Sequence, residues 1–288
     1  MKVLNPYCSD CNWLKGNLHT HTRESDGAAE RSEVLAIYRD DGYDFLALTD
    51  HDTFSPCRRH DGMVLLGAQE CHVSEGTGFD CHIVSLGETG RIPRMDSAQA
   101  IIDEIRHRRG LAIVCHPRWS FMPYDVFDEL KGYAAFEVYN GSCDKEVGRG
   151  FSNDYWDRHM SRLGTRRFGL AVDDMHRPTV DFATGWIWAN AEKESESILG
   201  AIARGDYYST AGPRIETIRV TDNTIEVYTS SAKAVKFITA NARVAHIVSG
   251  EHVKRAAYSV TGEERYIRVE VHGHDGKVAW TNPFWIEP

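Results

Sequence analysis

Short apolar runs that lead into or out of a histidine, aspartate or glutamate constrain this chain of 288 residues more than any other feature. The first run is Gly16-Asn17-Leu18, which ends in His19-Thr20-His21. Residues two apart in a strand point to the same face, so both imidazoles would aim at one ion. Similar runs adjoin Asp50-His51, Glu70, His82, His116 and Asp173-Asp174-Met175-His176. Imidazoles and carboxylates gathered in this way are typical ligands of Zn, Mn or Fe.

Each of these residues alone has an ordinary interpretation. A histidine after a strand is more often a surface or core residue than a ligand, and a loop carboxylate is usually a helix cap or a solvated charge. Because the same arrangement recurs at six places, we predict one collective metal site rather than six coincidences.

Helical segments separate the apolar runs. Asp96 and Gln99 resemble a capping box before three regularly spaced isoleucines, and Gly110 ends this helix. Further helices are predicted over 32–41 and 154–163, each followed by glycine. Strands alternating with helices, with polar residues at strand ends, predict an α/β fold with a parallel barrel of the TIM type.

The pattern changes after residue 212. Short alternating stretches at 215–220, 224–229, 235–239, 266–271 and 277–286 predict a small antiparallel β-sandwich. We therefore predict two domains, residues 1–212 and 213–288. The expected role of the second domain is structural, packing on the barrel or on a partner subunit, which leaves a homo-oligomer open. Carbohydrate binding by Trp280 or Trp285 is the alternative.

Charge and hydropathy limit the class of partner. The net charge of −9 argues against a nucleic-acid polymer, because such proteins carry a basic face. No apolar run approaches the roughly 20 residues of a membrane span, and the N-terminus lacks the apolar core of a signal peptide. We expect a soluble, cytoplasmic protein that acts on a small anionic substrate.

The seven cysteines are expected to be reduced. Cys71, Cys81 and Cys115 adjoin proposed ligands, so alternation along a strand would turn them away from the metals into the barrel wall. Cys8 and Cys11 have the spacing of half a zinc knuckle, but the sequence contains no second such pair. A structural zinc is therefore not expected there.

The spaced motifs resemble the PHP (polymerase and histidinol phosphatase) superfamily of metal-dependent phosphoesterases. The resemblance covers roughly residues 14 to 212 and implies a distorted (β/α)7 barrel with seven strands. The motifs stand in the family's order as His19-Thr20-His21, Ser25-Asp26-Gly27, Thr49-Asp50-His51, Gly67-Ala68-Gln69-Glu70, His82, His116-Pro117 and Asp174-Met175-His176.

The resemblance also implies how two or three divalent ions are held. Glu70 would bridge two of them. The implied ligand groups are His19, His21, Glu70 and Asp174 for one ion, Glu70, His82 and His116 for a second, and Asp26, His51 and His176 for a third. An aspartate at position 26 is similar to the branch of the family that acts on small phosphoesters.

Further residues receive predicted roles beside the ligands. Arg118 is a candidate phosphate clamp, because a guanidinium matches phosphate oxygens, although a surface ion pair is equally open. Arg23, Asn140 and Arg149 are weaker candidates for substrate contacts, and His72 is a candidate proton donor to the leaving group.

Two carboxylates next to ligands, Asp50 and Asp173, are interpreted as groups that orient an imidazole through its other nitrogen. An ordinary buried or capping carboxylate is the alternative for both.

The predicted activity is hydrolysis of a small phosphate ester, a nucleotide or a sugar phosphate, by attack of a metal-bridging hydroxide. Glu70, His72 and Arg118 are the predicted catalytic residues. Two alternatives stay open: a metal-dependent hydrolase of an ester, amide or carbamate carbonyl, and a non-enzymatic metal-binding scaffold or sensor.

Overall fold

The computed structural model of the protein describes residues 1–8, 12–74 and 79–287, which form a mixed α/β structure as predicted. The helices are α1 (Arg31–Asp40), α2 (Ala98–His107), α3 (Tyr124–Glu129), α4 (Gly141–Val147), α5 (Asn153–Leu163), α6 (Pro178–Asp181) and α7 (Ser195–Arg204), with a 3-10 turn at Ala240–Ala242. The strands are β1 (Lys2–Leu4), β2 (Trp13–Asn17), β3 (Phe45–Ala47), β4 (Arg58–His60), β5 (Met63–Leu66), β6 (Ala68–Ser74), β7 (Asp80–Leu86), β8 (Leu111–Val114), β9 (Ala135–Asn140), β10 (Phe168–Val172), β11 (Trp186–Asn190), β12 (Tyr207–Thr210), β13 (Ile215–Thr221), β14 (Thr224–Thr239), β15 (Arg243–Ser259), β16 (Tyr266–His272), β17 (Val278–Thr281) and β18 (Phe284–Glu287).

Two sheets carry the predicted ligands. Strands β2, β3 and β5 are parallel neighbours in one sheet, and the other has the order β10-β9-β8-β7-β6. Isolated parallel bridges join the sheets on both sides, between Thr20 and Met175 and between His51 and Glu70. The sheets therefore meet where predicted metal ligands lie.

One buried apolar cluster draws residues from many of these strands. It includes Phe45 of β3, Leu66 of β5, Ile113 of β8, Leu170 of β10 and Ile187 of β11, all buried. A core built from inward residues of many strands is typical of a barrel. The number of seven barrel strands stays a prediction.

Strand direction departs from an all-parallel barrel. Strand β7 is antiparallel to both β6 and β8, and β11 is antiparallel to β2 and β12. The reason at β7 is the short chain between Ser74 and Asp80. A parallel pair needs a crossover of a dozen or more residues, so these strands pair antiparallel instead.

The predicted helices form close to their expected bounds. Helices α1 and α5 end before Gly42 and Gly164, which take the left-handed backbone that favours glycine. Helix α2 buries its isoleucines, but the predicted cap at Asp96 is wrong, because the side chain of Ser97 accepts the hydrogen bond from the backbone N–H of Ala100.

The C-terminal strands are antiparallel, as predicted, but their bounds differ. The single strand predicted over 277–286 is wrong, because β17 and β18 are separated there by Asn282 and Pro283. Strand β14 runs unbroken through two predicted strands, and β15 was not predicted at all. A β-sandwich as such stays a prediction.

These strands continue the sheet of the barrel region. Strand β17 pairs with β12, and the N-terminal strand β1 pairs with β18. The division at residues 212 and 213 stays a prediction. In the described part of the chain, no helix is long and apolar enough to cross a membrane.

Candidate metal centre

The predicted ligands converge on one cavity of about 410 Å³. His19 and His21 follow β2, His51 follows β3, and Glu70 lies in β6. All the predicted ligands except His19 line the cavity, and His19 is buried in contact with two of them.

Four ligand atoms surround a common point. Nε2 of His19 lies 3.1 Å from Oε2 of Glu70 and 3.2 Å from Oδ1 of Asp174, and Nε2 of His21 lies 3.2 Å from both oxygens. Tetrahedral ligands about 2.1 Å from zinc lie roughly 3.4 Å from one another. The spacing therefore fits four ligands of one divalent ion.

The burial of these atoms supports that fit. Nε2 of His19, Nε2 of His21 and Oδ1 of Asp174 are all buried and have no hydrogen-bond partner among the described residues. Buried polar atoms without partners are costly, and a shared cation satisfies all of them at once.

Glu70 faces a second group of ligands with its other oxygen. Oε1 lies 2.9 Å from Nδ1 of His82 and 3.7 Å from Nε2 of His116. Because its two oxygens face different imidazoles, Glu70 would contribute one oxygen to each ligand group if both held an ion.

The third predicted group surrounds Asp26. Its oxygens lie 3.6 Å from Nε2 of His51, 3.4 Å from Nε2 of His176 and 3.3 Å from Nδ1 of His21. His21, which was predicted only for the first ion, thus also faces this group.

The electrostatics keep the carboxylates charged. Hydrogen bonds from His176 and His21 hold the pKa of Asp26 well below its usual range. Burial alone would raise the pKa of Glu70 and Asp174, but the facing imidazoles lower both well below the ordinary value. Ionised carboxylates are the form that binds a cation.

Several imidazoles are oriented through the nitrogen that faces away from the cavity. Nδ1 of His176 donates to the backbone carbonyl of Asp174 at 2.9 Å, and Nδ1 of His116 lies 3.1 Å from Oγ of Ser120. Such contacts place the ring proton on Nδ1, so that Nε2 keeps a lone pair that can bind a metal.

Glu137 orients His19 and was missed from the sequence. This buried residue of β9 accepts from Nδ1 of His19 at 2.6 Å and from the backbone N–H of His116 at 2.8 Å. The available signal was a carboxylate inside an otherwise apolar strand, since a buried charge needs partners.

Asn140 is part of the same network rather than of the cavity wall. Its Nδ2 donates to Glu137 at 2.9 Å and to Oδ2 of Asp174 at 3.0 Å, and its Oδ1 accepts from the N–H of Cys143 at the start of α4. The side chain is fully buried and does not line the cavity, so its contacts are with ligands instead of the predicted substrate.

Asp50 and Asp173 have partners other than the predicted imidazoles. Asp50 accepts from the hydroxyls of Thr22 and Ser25, and Asp173 accepts from Tyr38 and from backbone N–H groups that include Gly185. Both carboxylates therefore fix the loops that carry ligands, close to the alternative interpretation.

Two of the ligands have a strained backbone. His116 has φ 26° and Asp174 has φ 51°, a region that side chains other than glycine rarely adopt. The left-handed backbone of His116 also breaks the alternation expected for Cys115. The thiol of Cys115 faces His19 and Glu70 within 4.8 Å, so its predicted position in the wall is wrong.

The other cysteines differ from Cys115. Cys71 and Cys81 are buried in the cluster outside the central core, as expected for wall residues. The predicted absence of a zinc site at Cys8 and Cys11 cannot be described structurally, because Cys11 lies outside the described residues.

The predicted arginines lie away from the cavity. Arg118 is exposed and lies 3.4 Å from Asp154, which matches its ion-pair alternative. Arg23 bonds the carbonyl of Ala28 and pairs with Glu30, while Arg149 stacks on Phe121.

His72 lies at the edge of the centre. It is exposed, its ring centroid is 4.7 Å from that of His82, and its Nε2 is 3.4 Å from Asp80.

The cavity wall also includes Trp119, Glu146 and Arg177, of which Glu146 and Arg177 were missed by the sequence analysis. The position of Arg177, directly after Asp174-Met175-His176, was a signal for its proximity to the site.

The chain was compared with known proteins. No protein-family profile matches it. An uncharacterized protein of Methanocaldococcus jannaschii is 26% identical, over 44% of this chain and 84% of that protein. An amidohydrolase from Chromobacterium violaceum, solved with bound sulfate and no metal, is 18% identical with a TM-score of 0.43, over 58% of this chain and 89% of that chain.

A solved structure matches the chain over nearly its whole length. This is a two-domain protein from Bacteroides vulgatus that contains a predicted PHP-like metal-dependent phosphoesterase. It is 13% identical with a TM-score of 0.54, over 99% of this chain and 97% of that chain. The present chain therefore has the fold of a two-domain PHP-like protein, which confirms at the level of the fold the resemblance that its motifs indicated.

Proposed function

We propose that this protein is a metal-dependent phosphoesterase that hydrolyses a small phosphate ester, such as a nucleotide or a sugar phosphate. The observation that carries the proposal is the group of four ligand atoms from His19, His21, Glu70 and Asp174, in which each imidazole nitrogen lies 3.1 to 3.2 Å from each carboxylate oxygen. The second oxygen of Glu70 adds a neighbouring ligand group, which is the arrangement that phosphoester hydrolysis with paired ions requires.

The residues around the cavity would hold two or three ions of Zn, Mn or Fe. When bound, such ions activate water and neutralise phosphoryl oxygens. Glu137 and Asn140 keep the imidazole of His19 and the carboxylate of Asp174 in position through hydrogen bonds of 2.6 to 3.0 Å. The ligand atoms are therefore oriented before any substrate enters.

The cavity wall supports a small anionic substrate. Arg177 is the only arginine or lysine that lines the cavity in the described part of the chain, and its guanidinium would bind the phosphoryl oxygens. The exposed Glu146 and the half-buried indole of Trp119 would contact the alcohol portion. A volume of about 410 Å³ and a net charge of −9 favour a small molecule over a nucleic-acid polymer.

His72 is our candidate for the group that protonates the leaving oxygen. It lies beside His82 at the exposed edge of the ligand group, from which a proton can exchange with solvent.

The test combines metal content with phosphate release. Elemental analysis of the gently purified protein should give two or three equivalents of Zn, Mn or Fe. A panel of nucleoside monophosphates and sugar phosphates should contain at least one substrate. His19→Ala should lose both metal and turnover, whereas His107→Ala, which removes an exposed imidazole on α2, should keep both.

Two results would contradict the proposal. Bound metal with hydrolysis of carboxylic esters or carbamates but of no phosphate ester would assign the site to carbonyl chemistry. Absence of both metal and turnover, after reconstitution with each metal, would reject the proposal that the protein is an enzyme.

A further inference from the structure

A chain of hydrogen bonds outside the metal centre joins a threonine, a histidine and an aspartate. Asp128 lies in α3, His159 lies in α5, and Thr165 lies in the loop between α5 and β10. Nδ1 of His159 is 2.9 Å from Oδ1 of Asp128, and Nε2 of His159 is 2.9 Å from Oγ1 of Thr165. We call these three residues the threonine triad. All three lie outside the lining of the metal cavity.

The partners of His159 fix the direction of both hydrogen bonds. Asp128 also accepts from Arg158 at 2.6 Å, so its carboxylate acts as an acceptor and Nδ1 of His159 carries the ring proton. Burial and the nearby Arg167 lower the pKa of His159 to about 4, so the imidazole is neutral at neutral pH. Its Nε2 therefore has a free lone pair, and the hydroxyl of Thr165 is the donor.

This arrangement is typical of an activated nucleophile. A hydroxyl donates to an imidazole, and a carboxylate orients that imidazole through its other nitrogen. Burial differs along the triad, because Asp128 is 7% exposed and His159 is 0% exposed, whereas Thr165 is exposed. The base is thus held rigidly inside the protein, while the residue that carries the nucleophile is open to a reagent from solution.

The residues around Thr165 are basic, in a chain whose net charge is −9. The exposed Arg162 lies 3.6 Å from Asp128, and Arg166 and Arg167 directly follow Thr165. Guanidinium groups attract an anionic reagent and would pair with a phosphoryl group attached to the hydroxyl. The charge therefore favours a phosphoryl donor over an uncharged acyl donor.

We propose that Thr165 is a phosphorylation site that takes its phosphoryl group from a small acyl phosphate. Oγ1 of Thr165 forms a bond to phosphorus and gives its proton to Nε2 of His159, from which the proton passes to solvent. The bond between phosphorus and the acyl oxygen breaks, and the donor leaves as a carboxylate. A carboxylate needs no proton, so the reaction requires the base that the triad supplies and no acid. The proposal goes beyond the phosphoesterase activity and does not depend on it.

The test is incubation of the full chain with acetyl phosphate, followed by intact-mass and tandem mass spectrometry. We expect one phosphoryl group, on Thr165. Thr179 and Thr221 are exposed and have no imidazole partner in the described part of the chain. They should react at least about 100-fold more slowly, which is the usual contribution of a general base.

Substitutions in the triad test the role of each group. Thr165→Val should abolish the label, whereas Thr165→Ser keeps a hydroxyl and should retain it. His159→Phe keeps a buried ring but removes the base, and it should slow labelling at least about 100-fold. If His159→Phe shows no cooperative thermal transition, the rates at Thr165, Thr179 and Thr221 in the wild type decide alone.

His19→Ala separates the triad from the metal centre, where the contacts of His19 lie. Labelling of Thr165 should proceed in this variant even if phosphoesterase activity is lost or was never present. The proposal is overturned if no label forms, or if Thr179 or Thr221 reacts as fast as Thr165. It is also overturned if a folded His159→Phe is labelled at the wild-type rate, or if His19→Ala loses the label.

Discussion

Glu137 connects several ligands through one carboxylate. It accepts from the imidazole of His19, from the backbone of His116 and from Asn140, which also donates to Asp174. The two carboxylate oxygens of Glu137 thus accept three hydrogen bonds. A neutral amide cannot replace it, because its NH2 end would face a donor.

We therefore predict that Glu137→Gln lowers metal affinity 10-fold to 100-fold, the usual effect of losing such an orienting partner. A competition titration with a chromophoric chelator measures the affinity. Asp128→Asn is the matched control, because Asp128 accepts from the buried His159 at 2.9 Å and neither residue lines the metal cavity. Equal metal affinities of Glu137→Gln and the wild type would show that Glu137 does not support metal binding.

Arg177 and Arg118 can be distinguished as phosphate-binding residues. Arg177 lines the metal cavity, whereas Arg118 does not and lies 3.4 Å from Asp154. We predict that Arg177→Ala raises KM for a phosphomonoester substrate at least tenfold, since it removes a charged hydrogen bond to phosphate. Arg106→Ala, at an exposed position of α2, should leave KM unchanged. A larger rise in KM for Arg118→Ala than for Arg177→Ala would restore the original sequence prediction.

Most of the ligands were predictable because they adjoin apolar runs, a pattern visible without knowledge of the fold. Asp26 adjoins no such run and was expected only from the family resemblance. Arg177 and Glu137 were not predicted, since their proximity to the centre depends on loop geometry and on pairing between strands. Asp50 and Asp173 adjoin ligands in sequence, but the direction of a loop side chain cannot be inferred from adjacency alone.

At the scale of elements, a buried ionic group ties α5 to β16. Arg268 is 2% exposed and contacts Asp157 of α5 at 2.5 Å and Glu270 of its own strand at 2.6 Å. His272 and Asn153 also face Glu270, at 2.9 and 3.0 Å. Burial would raise the pKa of Glu270, but Arg268 and His272 lower it from 4.5 to about 2.

This shift predicts an acid-sensitive contribution to stability. A carboxyl with a lowered folded pKa stabilises the protein above the unfolded value of 4.5 and loses that contribution as the pH falls toward 2. At about 1.4 kcal/mol per pKa unit, the contribution is about 3 kcal/mol. Urea unfolding at pH 6 and pH 2.5 should show a pH dependence that is smaller by this amount in Glu270→Gln. Glu226→Gln removes a carboxylate from a more exposed pair with Arg255 and should keep the wild-type dependence. An unchanged dependence in Glu270→Gln would contradict the assignment.

The predictability of the elements varied with their burial. Helices α1 and α5 were found because glycine marks their ends and apolar spacing marks one face. Strand β15 was missed because, among the described strands, it pairs with β14 alone and most of its side chains are exposed, so no alternation of apolar and polar residues marks it. The direction of β7 relative to β6 follows from the short chain between these two strands. The pattern of apolar residues does not indicate strand direction.

At the scale of the whole molecule, the last strands complete the core around the first ones. The indole of Trp280 stacks on Tyr139 with ring centroids 5.8 Å apart, and both residues are buried in one cluster. Asn282 accepts from the N–H of Gly169 and donates to the carbonyls of Gly205 and Tyr207. The predicted barrel therefore depends on residues beyond position 212 for both packing and backbone hydrogen bonds.

We predict that residues 1–212 alone do not form a stable native structure, although the sequence pattern divides the chain there. Removing 213–288 exposes the edge of β12 that pairs with β17 and leaves β1 without its partner β18. It also removes Asn282, the hydrogen-bond partner of the buried backbone groups of Gly169, Gly205 and Tyr207. Each lost partner costs about 1 to 3 kcal/mol, and total stabilities are only about 5 to 15 kcal/mol. Circular dichroism and size-exclusion chromatography should find the fragment aggregated or without a cooperative thermal transition, whereas the full chain has one. A monomeric fragment that melts cooperatively and retains the metal affinity of the full chain would instead make residues 1–212 an independent domain, with the paired strands β12 and β17 as an interface between domains rather than a shared core.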